Sequence, residues 1–182
     1  MAADPAPEIP GAVGEVRVWD PLVRVFHWTL AASFLGAQLW EDPRVLHESL
    51  GWIAGAAVAV RLVWGLIGTR HARFADFVPS PAGFFGYVRD VAAGRERRYL
   101  GHNPAGGAMV VALLATVLGL VVTGWMMGLD AFWGVGWVEE THETLAHLGL
   151  FLVALHLAGV VWEGRRHGEN LVAAMVTGRK RR

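Results

Sequence analysis

The sequence of 182 residues contains no cysteine. This absence excludes disulfides, thiolate metal sites, iron–sulfur clusters and covalently attached c-type haem, which requires a C-x-x-C-H motif. Charged residues are also scarce, at 18%, whereas soluble domains usually contain about a quarter. Together with a hydrophobic fraction of 54% and 9 Trp, this favours a membrane protein, and no nucleic-acid partner is expected. Any redox cofactor must be held non-covalently, and the 8 His are its obvious ligands.

Residues 1–16 lack the basic start and apolar run of a signal peptide, so we expect a short disordered arm before a single membrane domain at 17–182. Four long apolar segments in that domain are about the length needed to cross a bilayer. They run over 21–40, 43–68, 104–129 and 142–162. The sequence therefore predicts an all-α membrane protein, a four-transmembrane-helix bundle.

Cap residues mark the start of each predicted span. An Asp or Asn can accept hydrogen bonds from free backbone N–H groups, and a following proline costs no helical hydrogen bond. Three starts have this form: Asp20-Pro21, Asp42-Pro43 and Asn103-Pro104. Thr141 is predicted to cap the fourth helix.

Basic residues are concentrated before the first span, between the second and third, and after the fourth. They are Arg17, Arg24, Arg70, Arg73, Arg89, Arg95, Arg97, Arg98, Arg165, Arg166, Arg179, Lys180, Arg181 and Arg182. By the positive-inside rule we expect a multi-pass membrane protein with both termini cytoplasmic. Segment 81–94, which follows a predicted Ser80 cap, and segment 170–177 place apolar residues beside this charge. We therefore expect short interfacial cytoplasmic helices that contact membrane lipid. Solvated basic loops are the alternative.

The opposite loops contain only Arg44 against several acidic residues. These are Glu41, Asp42, Asp130, Glu139 and Glu140. Complementary charge steers association, so a positively charged periplasmic electron carrier, such as a c-type cytochrome, is an expected partner. The alternative is that this face is acidic only because the basic residues are on the other side.

Histidines form the main functional signal, although a lone His in a span is more often an ordinary hydrogen-bonded core residue. His142 and His156 are 14 residues apart, so they share a helix face about 21 Å apart along the axis. Ala146 and Gly149 lie between them and leave room for a large flat group. His147 is half a turn off this face.

Depth sorts four histidines into two pairs. His27 and His156 lie near the basic side, and His47 and His142 near the acidic side. Two imidazoles that face each other are the ligand set of a six-coordinate haem, which suits electron transfer because it leaves no open position on the iron. The sequence therefore predicts two non-covalent b-type haems.

Gly51, Gly55 and Arg61 share a helix face with His47. The glycines would form a smooth wall for a macrocycle, and Arg61 would meet a haem propionate. The alternatives are a plain helix–helix contact for the glycines and snorkelling to the interface for Arg61.

Several motifs carry a family resemblance: RVFHW, LHESLGW, GHNPAGGAM and HETLAHLGLFLVALH. Over about residues 16–180 the chain resembles the bacterial cytochrome b561 family, which includes the b-type cytochrome subunits of nickel–iron hydrogenases. The resemblance implies a four-helix protein of the bacterial inner membrane with two b-type haems that exchanges electrons with quinone. It also implies ligand pairs of His27 with His156 and His47 with His142.

His71 and His102 lie on the basic side, where a haem propionate or a quinone headgroup would approach. Histidine titrates near neutral pH and could carry the quinol proton. The alternative is that both are polar loop residues.

The leading functional hypothesis is electron relay between the quinone pool and a redox partner. A second is the membrane anchor of a hydrogenase or similar oxidoreductase. A His-dependent metal or proton transporter is a third, but mid-helix carboxylates are missing, since Glu48 and Glu143 lie in first turns. An anchor without cofactor leaves the histidines unexplained. The sequence leaves open whether the chain works within a quinone oxidoreductase and whether it forms a homodimer.

Overall fold

The computed structural model describes residues 14–182, which form seven α-helices and two short strands. The helices are α1 (Pro21–Leu39), α2 (Arg44–Ile67), α3 (Phe74–Phe77), α4 (Pro81–Ala92), α5 (Pro104–Met127), α6 (Gly136–His167) and α7 (Leu171–Thr177). The strands are β1 (Glu15–Arg17) and β2 (Arg179–Arg181), and a short 3-10 helix, Asp130–Phe132, precedes α6. Most of the predicted disordered arm lies outside the described residues, but Glu15 and Val16 belong to β1.

Side-chain caps begin three of the helices as the sequence predicts. Asp20 Oδ1 accepts a hydrogen bond from the Val23 N–H at 2.9 Å, and Asn103 Oδ1 accepts one from Gly106 at 2.7 Å. Ser80 caps α4 in the same way through the Gly83 N–H at 3.1 Å. In α1, α4 and α5 a proline follows the cap at the first helical position.

Two predicted caps are wrong. No side chain caps α2, whose N-cap residue is Pro43 rather than Asp42. Thr141 is inside α6, where its hydroxyl donates to the Trp137 carbonyl at 2.6 Å. The helix begins earlier than predicted because 137–141 contains no glycine or proline, Glu139 favours a first turn, and Val138 is fully buried. The helix also continues past residue 162, until Gly168 adopts a left-handed conformation with φ of 61°.

α5 is central to the packing of the long helices. It packs against α2 on one side and α6 on the other, while α1 packs along α2. The core between them comprises Phe34, Ala54, Val58, Leu114, Val117 and Leu120. By length and composition α2, α5 and α6 are the three described helices that can cross a membrane. α1 is shorter and contains Arg24, His27 and Gln38, so composition alone does not make it the fourth.

One end of the bundle, called the basic end here, contains the starts of α1 and α5, the ends of α2 and α6, and the short elements β1, β2, α3, α4 and α7. There β1 and β2 pair antiparallel, so residues 15–17 and 179–181 lie together. Ion pairs join the segment before α5 to α6 and the tail: Arg98 pairs with Glu169 at 2.5 Å, and Glu96 pairs with Arg166 of α6 at 2.7 Å. Within the tail, Lys180 pairs with the same Glu169 at 3.2 Å. The opposite end, with the 3-10 helix and the five acidic residues Glu41, Asp42, Asp130, Glu139 and Glu140, is called the acidic end. The compartment that each end faces stays a prediction.

Asp20 links α1 to the end of α2, since its second carboxylate oxygen accepts hydrogen bonds from Thr69 Oγ1 at 2.6 Å and Trp64 Nε1 at 3.0 Å. We expect Asp20→Ala to lower the free energy of unfolding by about 2–4 kcal/mol, because a cap and two further bonds are lost. Ser80→Ala, which removes only an exposed cap, should cost about 1 kcal/mol. Thermal unfolding in detergent measures both, and equal effects would show that the links to Thr69 and Trp64 add nothing.

Candidate functional site

Two histidines face each other near the basic end. His27 lies on α1 and His156 on α6, and their ring centroids are 6.4 Å apart with an angle of 52° between the ring planes. The Nδ1 atom of His27 is buried and has no hydrogen-bond partner. The two rings come from different helices and opposite ends of the sequence, which is the arrangement expected of a two-sided ligand site.

A second pair faces across the bundle near the acidic end. His47 on α2 and His142 on α6 have ring centroids 6.2 Å apart and ring planes at 61°. His47 Nδ1 lies 3.0 Å from the carbonyl oxygen of Ala37. Because a carbonyl can only accept, this nitrogen carries the hydrogen, and Nε2 keeps its lone pair.

Thr123 fixes the tautomer of His142. Its Oγ1 lies 2.9 Å from His142 Nδ1 and 2.8 Å from the carbonyl oxygen of Gly119. Since the hydroxyl donates its one hydrogen to that carbonyl, it accepts from the Nδ1–H of His142. Nε2 of this ring is therefore also left with a free lone pair, as in metal-binding histidines that are held by a second hydrogen bond.

The spacing of the rings fits a metal ion between them. Metal–imidazole bonds are about 2 Å long, so two nitrogens on either side of one ion lie about 4 Å apart and their ring centroids about 6 Å apart. α6 packs closely on α5 but not on α1 or α2, which leaves a seam between the helices that carry the histidines. The described residues contain no group of three or more His, Asp or Glu that could hold a metal ion. Each pair could supply two imidazole nitrogens, the number of ligands that a porphyrin leaves unfilled on iron.

The small residues around this seam have different roles. A Cβ atom at Gly51 would meet no heavy atom within 4 Å, so space is open one turn from His47. At Gly55 a Cβ would lie 3.0 Å from Val121 Cγ1, so this glycine serves the contact between α2 and α5. Gly149, which the sequence predicts to leave room, is instead covered by Phe34: a Cβ there would lie 2.7 Å from the ring.

Arg61 is buried, with 2% of its surface exposed. Its guanidinium carbon lies 4.8 Å from the ring centroid of Phe74, 5.6 Å from Phe77 and 5.9 Å from Phe26. The Nη1 atom has no hydrogen-bond partner. A buried guanidinium with a free N–H group strongly favours an anionic ligand, and the burial is incompatible with snorkelling.

His102 and His71 meet at the basic end. The His102 ring packs against Trp19 and Phe77, with centroid distances of 4.7 and 4.6 Å and tilted ring planes, and its Nδ1 has no hydrogen-bond partner. Burial, reinforced by the charges of Arg61 and Lys180, lowers the pKa of His102 to about 3. His71 lies beside the Gly101 turn, and burial together with the charge of Arg70 lowers its pKa.

The remaining histidines are separate from both pairs. His147 is exposed on α6, as its offset from the ligand face predicts. His167 lies at the end of α6, with Nε2 3.4 Å from Glu163 Oε1.

Comparison with known proteins identifies the family. Residues 18–178 match the family model described as prokaryotic cytochrome b561. The chain belongs to the prokaryotic cytochrome b561 family.

Three curated relatives are similar over almost their whole length, and each is named "Probable Ni/Fe-hydrogenase B-type cytochrome subunit". The protein from Rhizobium leguminosarum bv. viciae is 25% identical, over 91% of this chain and 88% of the relative. The one from Bradyrhizobium diazoefficiens is 28% identical, over 99% and 92%. The one from Azotobacter vinelandii is 26% identical, over 90% and 87%. No solved structure gives a significant match.

Membership of the cytochrome b561 family makes this chain a multi-pass membrane electron carrier and implies b-type haem. Proteins of this family are four-helix membrane proteins. The facing histidines are the residues of this cytochrome b561 whose geometry fits that cofactor. Sequence reasoning missed Thr123 and the Ala37 carbonyl, because a threonine within an apolar helix and a backbone oxygen give no signal of the ring they will meet.

The lowered pKa of His102 gives a pH dependence of stability. In the folded protein this ring stays neutral down to about pH 3, whereas the unfolded chain takes up the proton near pH 6.5. The unfolded state therefore binds more protons between these values, and stability falls as the pH is lowered below 6.5, by about 1 kcal/mol per pH unit. Thermal unfolding at pH 7 and pH 5 measures the loss. His102→Gln should reduce it, and exposed His147→Gln should leave it unchanged; equal losses in the two variants would contradict this origin.

Proposed function

We propose that this cytochrome b561 binds two b-type haems, one between His27 and His156 and one between His47 and His142. It would relay electrons between the quinone pool and a redox partner. The observation that carries the proposal is the pair of ring separations, 6.4 and 6.2 Å. Both pairs use α6, on which His142 and His156 share one face about 21 Å apart along the axis.

The histidines determine the chemistry that the site supports. Haem, when bound, would supply iron that carries one electron. With one histidine of a pair holding it from each side, no ligand position would be left for oxygen or a substrate. Ala37 and Thr123 hold the rings of the acidic-end pair in the tautomer that ligation requires. Electron transfer is therefore the activity that this ligand set favours.

Arg61 is proposed to bind a propionate of the haem at the basic end. Its guanidinium lies next to Phe26, which neighbours His27 on α1. The free Nη1 and the aromatic surroundings leave the positive charge without a direct partner. A carboxylate would supply both the countercharge and the missing hydrogen-bond acceptor.

We propose α1 as the fourth span, because His27 belongs to it and the helix packs along α2. With four spans the two termini lie on one side, in accord with the pairing of β1 and β2. The concentration of arginine at that end supports a cytoplasmic orientation. The acidic end would then face the periplasm.

A quinone headgroup is proposed to bind at the basic end. The residues that line a cavity of about 580 Å³ there include the aromatic Phe77, Tyr87, Tyr99 and His102, together with the charged Asp76, Asp90, Arg95 and Arg97. The aromatic side chains offer an apolar surface, and the unpartnered Nδ1 of His102 offers a hydrogen bond. His71 lies close enough to the Gly101 turn to complete the polar side of this region.

The partner proposed for the acidic end is a positively charged electron carrier or an oxidoreductase subunit. Glu41, Asp42, Asp130, Glu139 and Glu140 are all exposed there, close to the His47 and His142 pair in sequence. The names of the curated relatives favour a hydrogenase-type partner as a second candidate. Charge complementarity would steer either partner to this end.

Substitution of each ligand tests the proposal directly. Purified wild-type protein should contain two acid-extractable haems per chain, measured by pyridine haemochrome against protein concentration. His27→Ala or His156→Ala should remove the basic-end haem and retain the acidic-end haem. His47→Ala or His142→Ala should do the reverse, because in each variant one haem loses one of its two histidine ligands. Exposed His147→Ala is the control and should retain both. A wild-type ratio near one, or a haem lost from the control, would contradict the ligand assignment.

Thr123→Val tests the positioning of His142. The substitution keeps the shape but removes the hydroxyl that accepts from Nδ1, so we expect haem affinity at the acidic-end site to fall about 10–100-fold. Thr116→Val is a matched control, since Thr116 is buried on the same helix and its hydroxyl bonds only the Ala112 carbonyl, at 2.9 Å. Haem titration of the apoprotein measures both variants. Equal affinities would show that the Thr123 contact does not hold the ring.

A further inference from the structure

Phe34 occupies the seam between the two histidine pairs. Its side chain is 7% exposed and belongs to the main core cluster. The ring lies against Gly149 so closely that a Cβ atom there would be 2.7 Å from Cζ and 3.0 Å from Cε2. Ala146 and Val153, about one turn to either side of Gly149, pack on the same cluster. The missing side chain at Gly149 is therefore what admits this ring.

The position of this contact along the helices is midway between the pairs. Gly149 is seven residues from both His142 and His156, so it lies about 10 Å along the axis from each. Phe34 is seven residues beyond His27, which gives the same rise along α1. α1 and α6 run in opposite directions, so seven residues after His27 and seven residues before His156 are displacements toward the same end of the bundle. Phe34 and Gly149 therefore lie at the same depth.

A ring at this depth separates the space around one pair from the space around the other. Through Gly149 it joins α1 to α6 between the pairs, and these two helices are not closely packed on each other. An apolar wall excludes water from both sides and lowers the local polarity. Low polarity favours the reduced, less charged form of an iron centre.

We propose that Phe34, seated on Gly149, is the partition between the two haem sites and a positioning residue for both. This inference rests on the proposed function, because it requires a haem at each pair. Phe34 forms the inner wall that each site shares. Gly149 is a specific requirement of that wall rather than a spacer for the macrocycle.

The test uses size exchange across the contact, in the full chain loaded with haem. Phe34→Leu shortens the side chain and leaves room for water beside both sites, so both midpoint potentials should fall in a redox titration and both low-spin electron paramagnetic resonance signals should shift. Gly149→Ala should also shift both signals because the ring must move. The double variant Phe34→Leu with Gly149→Ala should lie closer to the wild type than either single variant, since the added methyl group fills the space that the ring leaves.

Two controls on α6 match these changes. Gly159→Ala adds a methyl group where nothing lies within 4 Å, and Phe151→Leu shortens a ring that is 64% exposed. Both should retain the wild-type potentials. The partition would be overturned if Phe34→Leu changed the potential of one haem only or of neither. Strictly additive shifts of the potentials in the double variant would also overturn it. If Gly149→Ala does not assemble, Phe34→Leu alone decides, and a wild-type protein without two haems refutes the proposed function instead.

Discussion

The position of α5 between α2 and α6 is the constraint on which the other features depend. In a membrane, helices associate through close packing, because lipid supplies no hydrophobic driving force between them. α5 approaches α2 at Gly55 and α6 at Gly119, where an added Cβ would lie 3.0 Å from Val121 and 2.8 Å from Leu145. α6 is thereby held beside α5 and away from α1 and α2. The histidines on those helices face each other across the space that results.

The same helix also carries the polar group that orients a ring in this space. Thr123 is buried on α5 and satisfies its hydroxyl within the helix, which leaves its lone pair for His142. A Cβ at Gly124 would lie 3.3 Å from the His142 ring, so α5 also sets how near this ring approaches. One helix therefore defines the width of the site and the direction of one ligand.

The basic end stabilises the fold by a different means. Glu169 is held by Arg98 and Lys180; burial alone would raise its pKa, but these partners lower it overall. Lys180 also donates to the Tyr99 carbonyl at 3.2 Å. These contacts join the tail to the segment before α5, which positions the turn that contains His102. The charged residues of the acidic end, in contrast, all have exposed side chains.

The sequence by itself determined the helices and the histidine pairs. Asp20, Ser80 and Asn103 act within three residues of their own position, so local chemistry was enough to place these helix starts. Helical periodicity and depth were enough to match His27 with His156 and His47 with His142. Local rules failed at Thr141, because burial of Val138 stabilises an earlier start of α6. Only the tertiary structure decided that Gly149 admits Phe34, that Thr123 orients His142, and that Arg61 is enclosed by three phenylalanines. These contacts join residues from different elements, and whether they meet depends on how each helix is rotated against its neighbours.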